Sequence, residues 1–493
     1  MAHYDFDIGI LGAGAAGLTV AAGAAKAGAR TLLLEKEHRL GGDCLYYGCV
    51  PSKTLIKTAR VYHLMKEARR FGLPEAAVAP PVYAGIAARI QAVIAAIQAH
   101  DSEERFCGLG VRVEYGNPAF VDEHSVSLKG SRFSARHWVI ATGSSAAIPP
   151  IPGLSETGFI TSKEIYSLEK LPASMVIIGG GPIGVEFAQA FARLGTKVTI
   201  VEFADQILSN DDKDMAEALM GVLQGEGVDF FCDSQVVGAH ETSGGKEVTF
   251  TQGGRTRTVR GEVLLTATGR KANLDGMGLE NIGVARGKKG LALDGRLRTT
   301  QPHIYGAGDV TGVYQFTHAA GYEGGIVVSN AIFHVPRRAR YTLMPWVTYT
   351  DPELACIGMN EKAAAAAGIH YTVWSAPFVD NDRSLAEGET AGKVKMLLDE
   401  KERLIGAQIL GSDAGNLLAE WVAVMSGGVK LSTLASAVHP YPTRGEMNKR
   451  VASDFLSTKI FSDRVKSILS FVFGLKGRAC CPAVDGRPRD ISP

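Results

Sequence analysis

The sequence predicts an α/β fold, and three observations predict it. Two segments read as strand, glycine-rich turn, helix, strand and acid, one opening at Phe6 and the other at Met175. Short apolar strands ending in Ala-Thr-Gly, at 141–143 and 267–269, stand between and after them. With 493 residues and 46% apolar content, the chain is long enough for about three domains with sizeable cores.

The first segment runs Phe6–Leu11 as a strand, then Gly12-Ala13-Gly14-Ala15-Ala16-Gly17, an Ala-rich helix towards Ala29, and a strand Thr31–Leu34 ending at Glu35. Gly12 permits the tight turn, Gly14 lets backbone approach a pyrophosphate, and Gly17 lets the helix pack on the sheet. The helix N-terminus faces the phosphates, and Glu35 is placed to accept from an adenosine ribose. The second copy is a strand Met175–Ile178, the turn Gly179-Gly180-Gly181-Pro182-Ile183-Gly184, a helix through Ala188, and a strand Lys197–Val201 ending at Glu202. A carboxylate at 202 accepts from a ribose 2′-hydroxyl but repels the roughly −2 charge of a 2′-phosphate, so NADH is expected over NADPH. The Ala-Thr-Gly turns and the strand Ile304-Tyr305-Gly306 leading to Asp309 add backbone that can pass close to a cofactor.

Between the two units stands Gly41-Gly42-Asp43-Cys44-Leu45-Tyr46-Tyr47-Gly48-Cys49-Val50-Pro51-Ser52-Lys53. Two cysteines five positions apart beside a dinucleotide fingerprint read as a reversible dithiol, a two-electron relay. The alternatives are a zinc half-site, whose second half is missing nearby, or two inert core thiols. Of the seven cysteines, Cys107, Cys232 and Cys356 are isolated and read as incidental thiols, while Cys480-Cys481 forms a vicinal pair. A net charge of +1 leaves nucleic-acid binding without an electrostatic footprint. No apolar run approaches the ~18 residues of a membrane span, and the N-terminus lacks a secretory pattern, so a cytoplasmic enzyme is expected.

The order of these motifs, with Gly-Cys-Val-Pro-Ser-Lys at their centre, resembles the FAD-dependent pyridine nucleotide–disulfide oxidoreductases over roughly residues 5 to 455. That family includes dihydrolipoamide dehydrogenase, glutathione reductase and mercuric reductase. The resemblance implies two doubly wound dinucleotide-binding domains and an α+β C-terminal dimerisation domain. The division would be 1–148 and 273–340 for FAD, 149–272 for NAD, 341–458 for dimerisation, and 459–493 as a tail. It implies FAD near Gly12, Gly14, Gly17, Glu35, Gly42, Asp43, Lys53, Gly116, Thr142, Gly143, Asp309, Phe316, Thr317 and His318. NAD(H) would lie near Gly179, Gly181, Gly184, Glu186, Glu202, Val236 and Gly269, with Lys53 paired to Glu186. Electrons would pass from NADH through the flavin to the Cys44–Cys49 disulfide, with Cys49 against the flavin and Cys44 facing substrate. The family is homodimeric, each active site completed by the partner.

Two departures shape the expected chemistry. Lipoamide and glutathione enzymes carry a His directly before Pro-Thr, with a Glu five positions on, as the acid/base for the leaving thiol. Here Tyr441 precedes Pro442-Thr443, and Glu446 keeps the spacing. A phenol with pKa about 10 is a poor base at neutral pH, and a positioned acid/base contributes roughly 10²–10⁴-fold. Mercuric reductase resembles this chain here, and its thiophilic metal substrate needs thiolates rather than a proton shuttle. His439 reads as a substitute base or as a satisfied loop histidine. The second departure is Cys480-Cys481, which resembles the terminal pair that hands Hg(II) to the active-site thiols in mercuric reductase, or is a chance pair in a tail. Dihydrolipoamide dehydrogenase is the competing reading, favoured by Val201-Glu202-Phe203-Ala204-Asp205-Gln206-Ile207-Leu208; a non-catalytic FAD-binding subunit is a third. The segment with Ile460, Phe461, Val465, Ile468, Leu469, Val472 and Phe473 at helical spacing is basic and amphipathic. It reads as a helix packed on the dimer or as a membrane-surface contact.

Overall fold

In the computed structural model, residues 3–477 are described. Strand Phe6–Leu11 lies between Thr31–Glu35 and Ser131–Ile140, parallel to both, and Val111–Tyr115 extends the sheet beyond Thr31–Glu35. Ile8, Ile10 and Leu11 are wholly buried, as strands covered on both faces require. Helix Ala15–Lys26 packs on this sheet through Leu18, Val20, Ala21 and Ala24. Small alanines let helix Thr317–Ala331 come close on the same side. The sheet is completed from far along the chain: Ile304–Gly306 pairs in parallel with Ser131–Ile140. The chain therefore leaves the first unit, builds the second, and returns.

The second unit is a four-stranded parallel sheet in the order Asp229–Phe231, Lys197–Val201, Ser174–Ile178, Val263–Thr266. Helix Pro182–Leu194 lies on it, with Pro182 at the first turn where a missing N–H costs nothing. The C-terminal unit is a five-stranded antiparallel sheet, Trp346–Thr348, Glu353–Gly358, Leu404–Gly411, Lys393–Asp399, Tyr371–Pro377. Trp421, Val451 and Phe455, from helices Ala414–Ser426 and Glu446–Ile460, share its core. The α/β reading with an α+β C-terminal unit agrees with this architecture.

The apolar segment expected to run from Ile460 to Phe473 is broken. Helix Glu446–Ile460 stops, and a new helix, Asp463–Phe473, starts where the Ser462 side chain accepts from the Val465 N–H at 3.4 Å. Serine at this position offers the backbone a cap in place of a continued helix. None of the Asp463–Phe473 helix is buried, and Phe471 is 92% exposed. Among the described residues, no helix is long and apolar enough to cross a membrane.

Candidate functional site

The two glycine turns share one geometry. Gly12 sits at φ +103°, and a Cβ there would lie 2.4 Å from the Ala141 carbonyl; Gly179 sits at φ +110°, with the Ala267 carbonyl 2.5 Å from such a Cβ. A Cβ at Gly17 would meet the Gly12 carbonyl at 1.8 Å, and one at Gly184 the Gly179 carbonyl at 2.0 Å. These four positions exclude any side chain. Gly14 and Gly181 differ: they face a shared cavity of about 2400 Å³, where backbone is open to a ligand. Both acids line that cavity and are held at their turns by backbone N–H groups. Glu35 accepts from Ala13 at 2.6 Å and Glu37 at 2.9 Å; Glu202 accepts from Gly180 and, at 2.7 Å, from Ala204. A carboxylate has about four acceptor positions, so each acid keeps some for a ribose.

Around the first turn, the cavity wall includes Gly42, Asp43, Thr142, Gly143, Asp309, Phe316, Thr317 and His318. Gly42 sits at φ +64°, and a Cβ there would be 2.6 Å from the Gly14 Cα, so no other residue fits. Gly116 is behind the wall: it donates to the Glu35 carbonyl at 2.8 Å, and Asn117 and Pro118 face the cavity instead. Val236 and Gly269 line the second lobe. Phe316 stacks on His318 at 5.3 Å, and the His318 Nε2 lies 2.8 Å from the Pro345 carbonyl oxygen.

Two wall residues escaped the sequence reading. Arg270 follows Thr268-Gly269 directly and reaches Asp43 at 2.9 Å and Asp309 at 3.7 Å, while Ser144 donates to Asp309 at 2.6 Å. Burial pushes the Asp309 carboxyl above its usual range, with Ser144 and Arg270 working against that rise. The available signal was an arginine placed after the second Ala-Thr-Gly turn, opposite two acids.

The dithiol lies between the lobes. Cys44 is in the short helix Gly42–Tyr46, and Cys49 is the first residue of helix Cys49–Lys66, where unpaired N–H groups favour a thiolate. Both thiols are free. A hydrogen bond from Cys44 is the main cause lowering the Cys49 pKa; Thr317, 3.4 Å away, and Lys53 add to it, against burial and Glu186. The same pairing and burial push the Cys44 thiol far up, so the proton stays on Cys44. Lys53 stands one turn into the Cys49 helix, and Glu186 stands in the first turns of helix Pro182–Leu194. Their side chains pair at 2.8 Å. Burial disfavours the Lys53 charge, but Glu186, with Cys49 and Tyr349, outweighs it and the pKa is raised. Tyr349, from the C-terminal unit, closes the group. Its N–H donates to Glu186 at 2.9 Å, and its ring lies 4.4 Å from the Lys53 ammonium.

Other predicted residues lie away from this cavity wall. Tyr441 is 71% exposed, and its hydroxyl donates to Asp382 at 2.8 Å. Glu446 opens helix Glu446–Ile460 and accepts from the Thr443 N–H at 3.4 Å. His439 Nε2 is 2.9 Å from Glu420 and Nδ1 is 3.4 Å from the Ala437 carbonyl, so both ring nitrogens have partners within the chain. Cys480 and Cys481 lie outside the described residues. Of the isolated cysteines, Cys356 is buried, Cys232 half-buried and Cys107 exposed. The acids Asp212, Asp214 and Glu361 converge as a metal site would, but Lys395 Nζ occupies the centre, 2.8 Å from each aspartate.

Residues 6–324 match the family Pyridine nucleotide-disulphide oxidoreductase, and residues 344–452 match its dimerisation domain. The chain belongs to this family. It is 31% identical to a mercuric reductase of Bacillus cereus, over 90% of this chain and 70% of that protein. It is 33% identical to a dihydrolipoyl dehydrogenase of Geobacillus stearothermophilus, over 92% of this chain and 96% of that one. Among solved structures it resembles RclA, the HOCl-induced flavoprotein disulfide reductase of Escherichia coli, with TM-score 0.81 and 28% identity over 91% of this chain and 99% of that one. A Cu(II) complex of RclA matches at the same TM-score, with 29% identity over 90% of this chain and 99% of that one.

As a family member the protein is a homodimeric flavoprotein oxidoreductase that uses FAD and NAD(H). The open glycines at 14 and 181, each at a helix N-terminus and each beside a buried or half-buried acid, suit two dinucleotides. A bound FAD, which Gly14, Glu35 and Asp309 would hold, would supply hydride acceptance from the nicotinamide and two-electron donation to a disulfide. The chain's own part is to hold Cys49 as thiolate, keep the proton on Cys44, and brace Lys53 between Glu186 and Tyr349.

Proposed function

We propose that the enzyme passes its electrons to a thiophilic metal ion, with Hg(II) as the substrate, bound first at Cys44. The observation that carries this reading is position 441. A phenol stands where thiol exchange calls for an imidazole, and its hydroxyl is already given to Asp382. The nearby His439 is engaged by Glu420 and by a backbone carbonyl, which favours a structural role for it. The step balances as Hg(II) plus NADH giving Hg(0), NAD⁺ and a proton. Similarity to mercuric reductases and to a protein solved with Cu(II) supports a thiophilic metal acceptor. In this reading Cys480 and Cys481 relay the ion to Cys44, and replacing both by Ala lowers turnover at low external thiol.

The remaining roles follow from the wall residues. Gly12, Gly14, Glu35, Asp43, Thr142, Gly143 and Asp309 hold FAD, and Gly179, Gly181, Val236 and Gly269 hold the nicotinamide nucleotide, while Gly17 and Gly184 seat the helices whose N-termini face the two phosphates. Glu202 selects NADH over NADPH through the ribose 2′-hydroxyl. Tyr441 and Glu446 face the partner's dithiol in the dimer. We place the enzyme in the cytoplasm, where NADH is available to feed the dithiol. Helix Asp463–Phe473, with Arg464 and Lys466 flanking an apolar arc, makes a weak contact with anionic membrane surfaces. Equal co-sedimentation with anionic and neutral vesicles would remove that contact.

The deciding assay is NADH oxidation with Hg(II) in excess thiol, beside the same assay with lipoamide. Hg(II)-dependent turnover that disappears in Cys44→Ala is expected. Fast lipoamide turnover with Hg(II) acting only as an inhibitor would instead assign dihydrolipoamide oxidation. The run Val201–Leu208 and the 33% identity to a dihydrolipoyl dehydrogenase favour that second reading.

A further inference from the structure

Glu323 is a carboxyl with no surface exposure, in the middle of helix Thr317–Ala331; it does not line the cavity itself but lies directly behind wall residue Gly308. Three donors converge on it. The Gly308 N–H reaches Oε2 at 2.6 Å, and the Tyr341 hydroxyl reaches Oε1 at 2.6 Å, with the Thr311 hydroxyl at 3.4 Å. The donors come from two segments with different jobs. Gly308 and Thr311 bracket the turn that points Asp309 into the cavity. Gly308 itself is at φ +83°, pressed to within 3.1 Å of Ala16 for any added Cβ, so the turn has little slack. Tyr341 lies just before the match to the dimerisation domain. The helix that carries Glu323 begins at Thr317, against Cys49.

We propose that Glu323 is a positioning residue for the flavin: its carboxyl sets the 308–311 turn, and through Tyr341 it ties that turn to the start of the dimerisation domain. A buried N–H left without an acceptor is unfavourable, so removing the carboxyl lets the Gly308 N–H turn towards the cavity. Asp309 then leaves its line with Ser144 and Arg270, and the cofactor loses a preformed contact. Burial pushes the Glu323 carboxyl up to about 7, with Asp309 adding to the rise. The neutral acid is therefore well populated near neutral pH, and glutamine imitates it: its carbonyl accepts from Gly308 and its amide group meets the Tyr341 oxygen.

The test compares the holoenzyme with Glu323→Leu, Glu323→Gln and Tyr341→Phe. FAD affinity is read from flavin fluorescence on dilution, and NADH affinity of each flavin-depleted protein serves as the control for the second nucleotide unit. Glu323→Leu should weaken FAD binding about tenfold or more, the effect of one lost buried hydrogen bond to a charged or acidic group. Glu323→Gln should recover most of that loss, Tyr341→Phe should fall between, and NADH affinity should not move. Unchanged FAD affinity in Glu323→Leu would overturn the proposal. So would a parallel fall in NADH affinity, which would mean general loosening, or a Gln variant as poor as the Leu one. If Glu323→Leu fails to fold, Tyr341→Phe and Glu323→Gln still decide, since wild-type FAD affinity in Tyr341→Phe contradicts the tie.

Discussion

Cys49 opens a helix, accepts a hydrogen bond from Cys44, and has Thr317 and Lys53 beside it; each of these favours its thiolate. Because the pKa is lowered, the thiolate is present above the depressed value and is lost only as pH falls through it. In the reduced holoenzyme, the long-wavelength thiolate–flavin absorption should therefore persist below the ordinary thiol range, pKa ~8.5. Cys44→Ala removes the main cause, so the midpoint of that absorption should move up by about one unit; a midpoint unmoved in Cys44→Ala would contradict the assignment. Tyr441 gives a second residue-scale expectation. Tyr441→His should raise lipoamide turnover relative to Hg(II) turnover by about tenfold or more, as a supplied base does in thiol exchange. Equal relative rates would take position 441 out of the argument.

The glycine turns make a prediction at the scale of one element. Gly184 brings helix Pro182–Leu194 onto its sheet, and a Cβ there collides with the Gly179 carbonyl at 2.0 Å. Gly184→Val should push the helix N-terminus away from the cavity, abolishing saturable NADH binding by titration while the protein stays yellow. The opposite pattern is expected for Gly17→Val. The separation works because the two turns repeat one geometry in two different sheets. Loss of both cofactors from either variant would show that the units do not hold their ligands independently.

Across the whole molecule, the second nucleotide unit is joined to the C-terminal unit by charge. Arg193, with only 6% of its side chain exposed, binds Glu226 and Asp351 at 2.7 Å each, and Gln189 donates to the Asp351 carbonyl at 2.6 Å. Removing one member of such a buried group leaves the others unpaired, so Arg193→Met should cost roughly 3–5 kcal/mol in urea unfolding. A loss below about 1 kcal/mol, the range of exposed pairs, would show the network is effectively solvated. Glu323 adds a pH dependence. Its folded pKa, about 7, lies above the ordinary glutamate value of 4.5, so its stabilising contribution is full below the lower value and is lost as pH rises through the upper one. The melting temperature of wild type relative to Glu323→Gln should thus fall between pH 5 and 8; a constant difference would refute this.

The two nucleotide units, the dithiol between them and the family were all legible in the residue order. Those features are local: a turn that only glycine can make, an acid at a strand end, and two cysteines one helical start apart are written in consecutive residues. Strands Thr31–Glu35 and Lys197–Val201 were legible to the residue for the same reason. The break at Phe461–Ser462 was not, because the apolar spacing continues across it while one serine cap decides the backbone. Folding alone showed that Ile304–Gly306 completes the first sheet, that Arg270 faces Asp43 and Asp309, and that Tyr349 covers the Lys53–Glu186 pair. It also gave His439 to Glu420, and Glu323 to Gly308 and Tyr341. These partners come from separate stretches of the chain, and no period or motif in one stretch records the charge or the donor that folding brings from another.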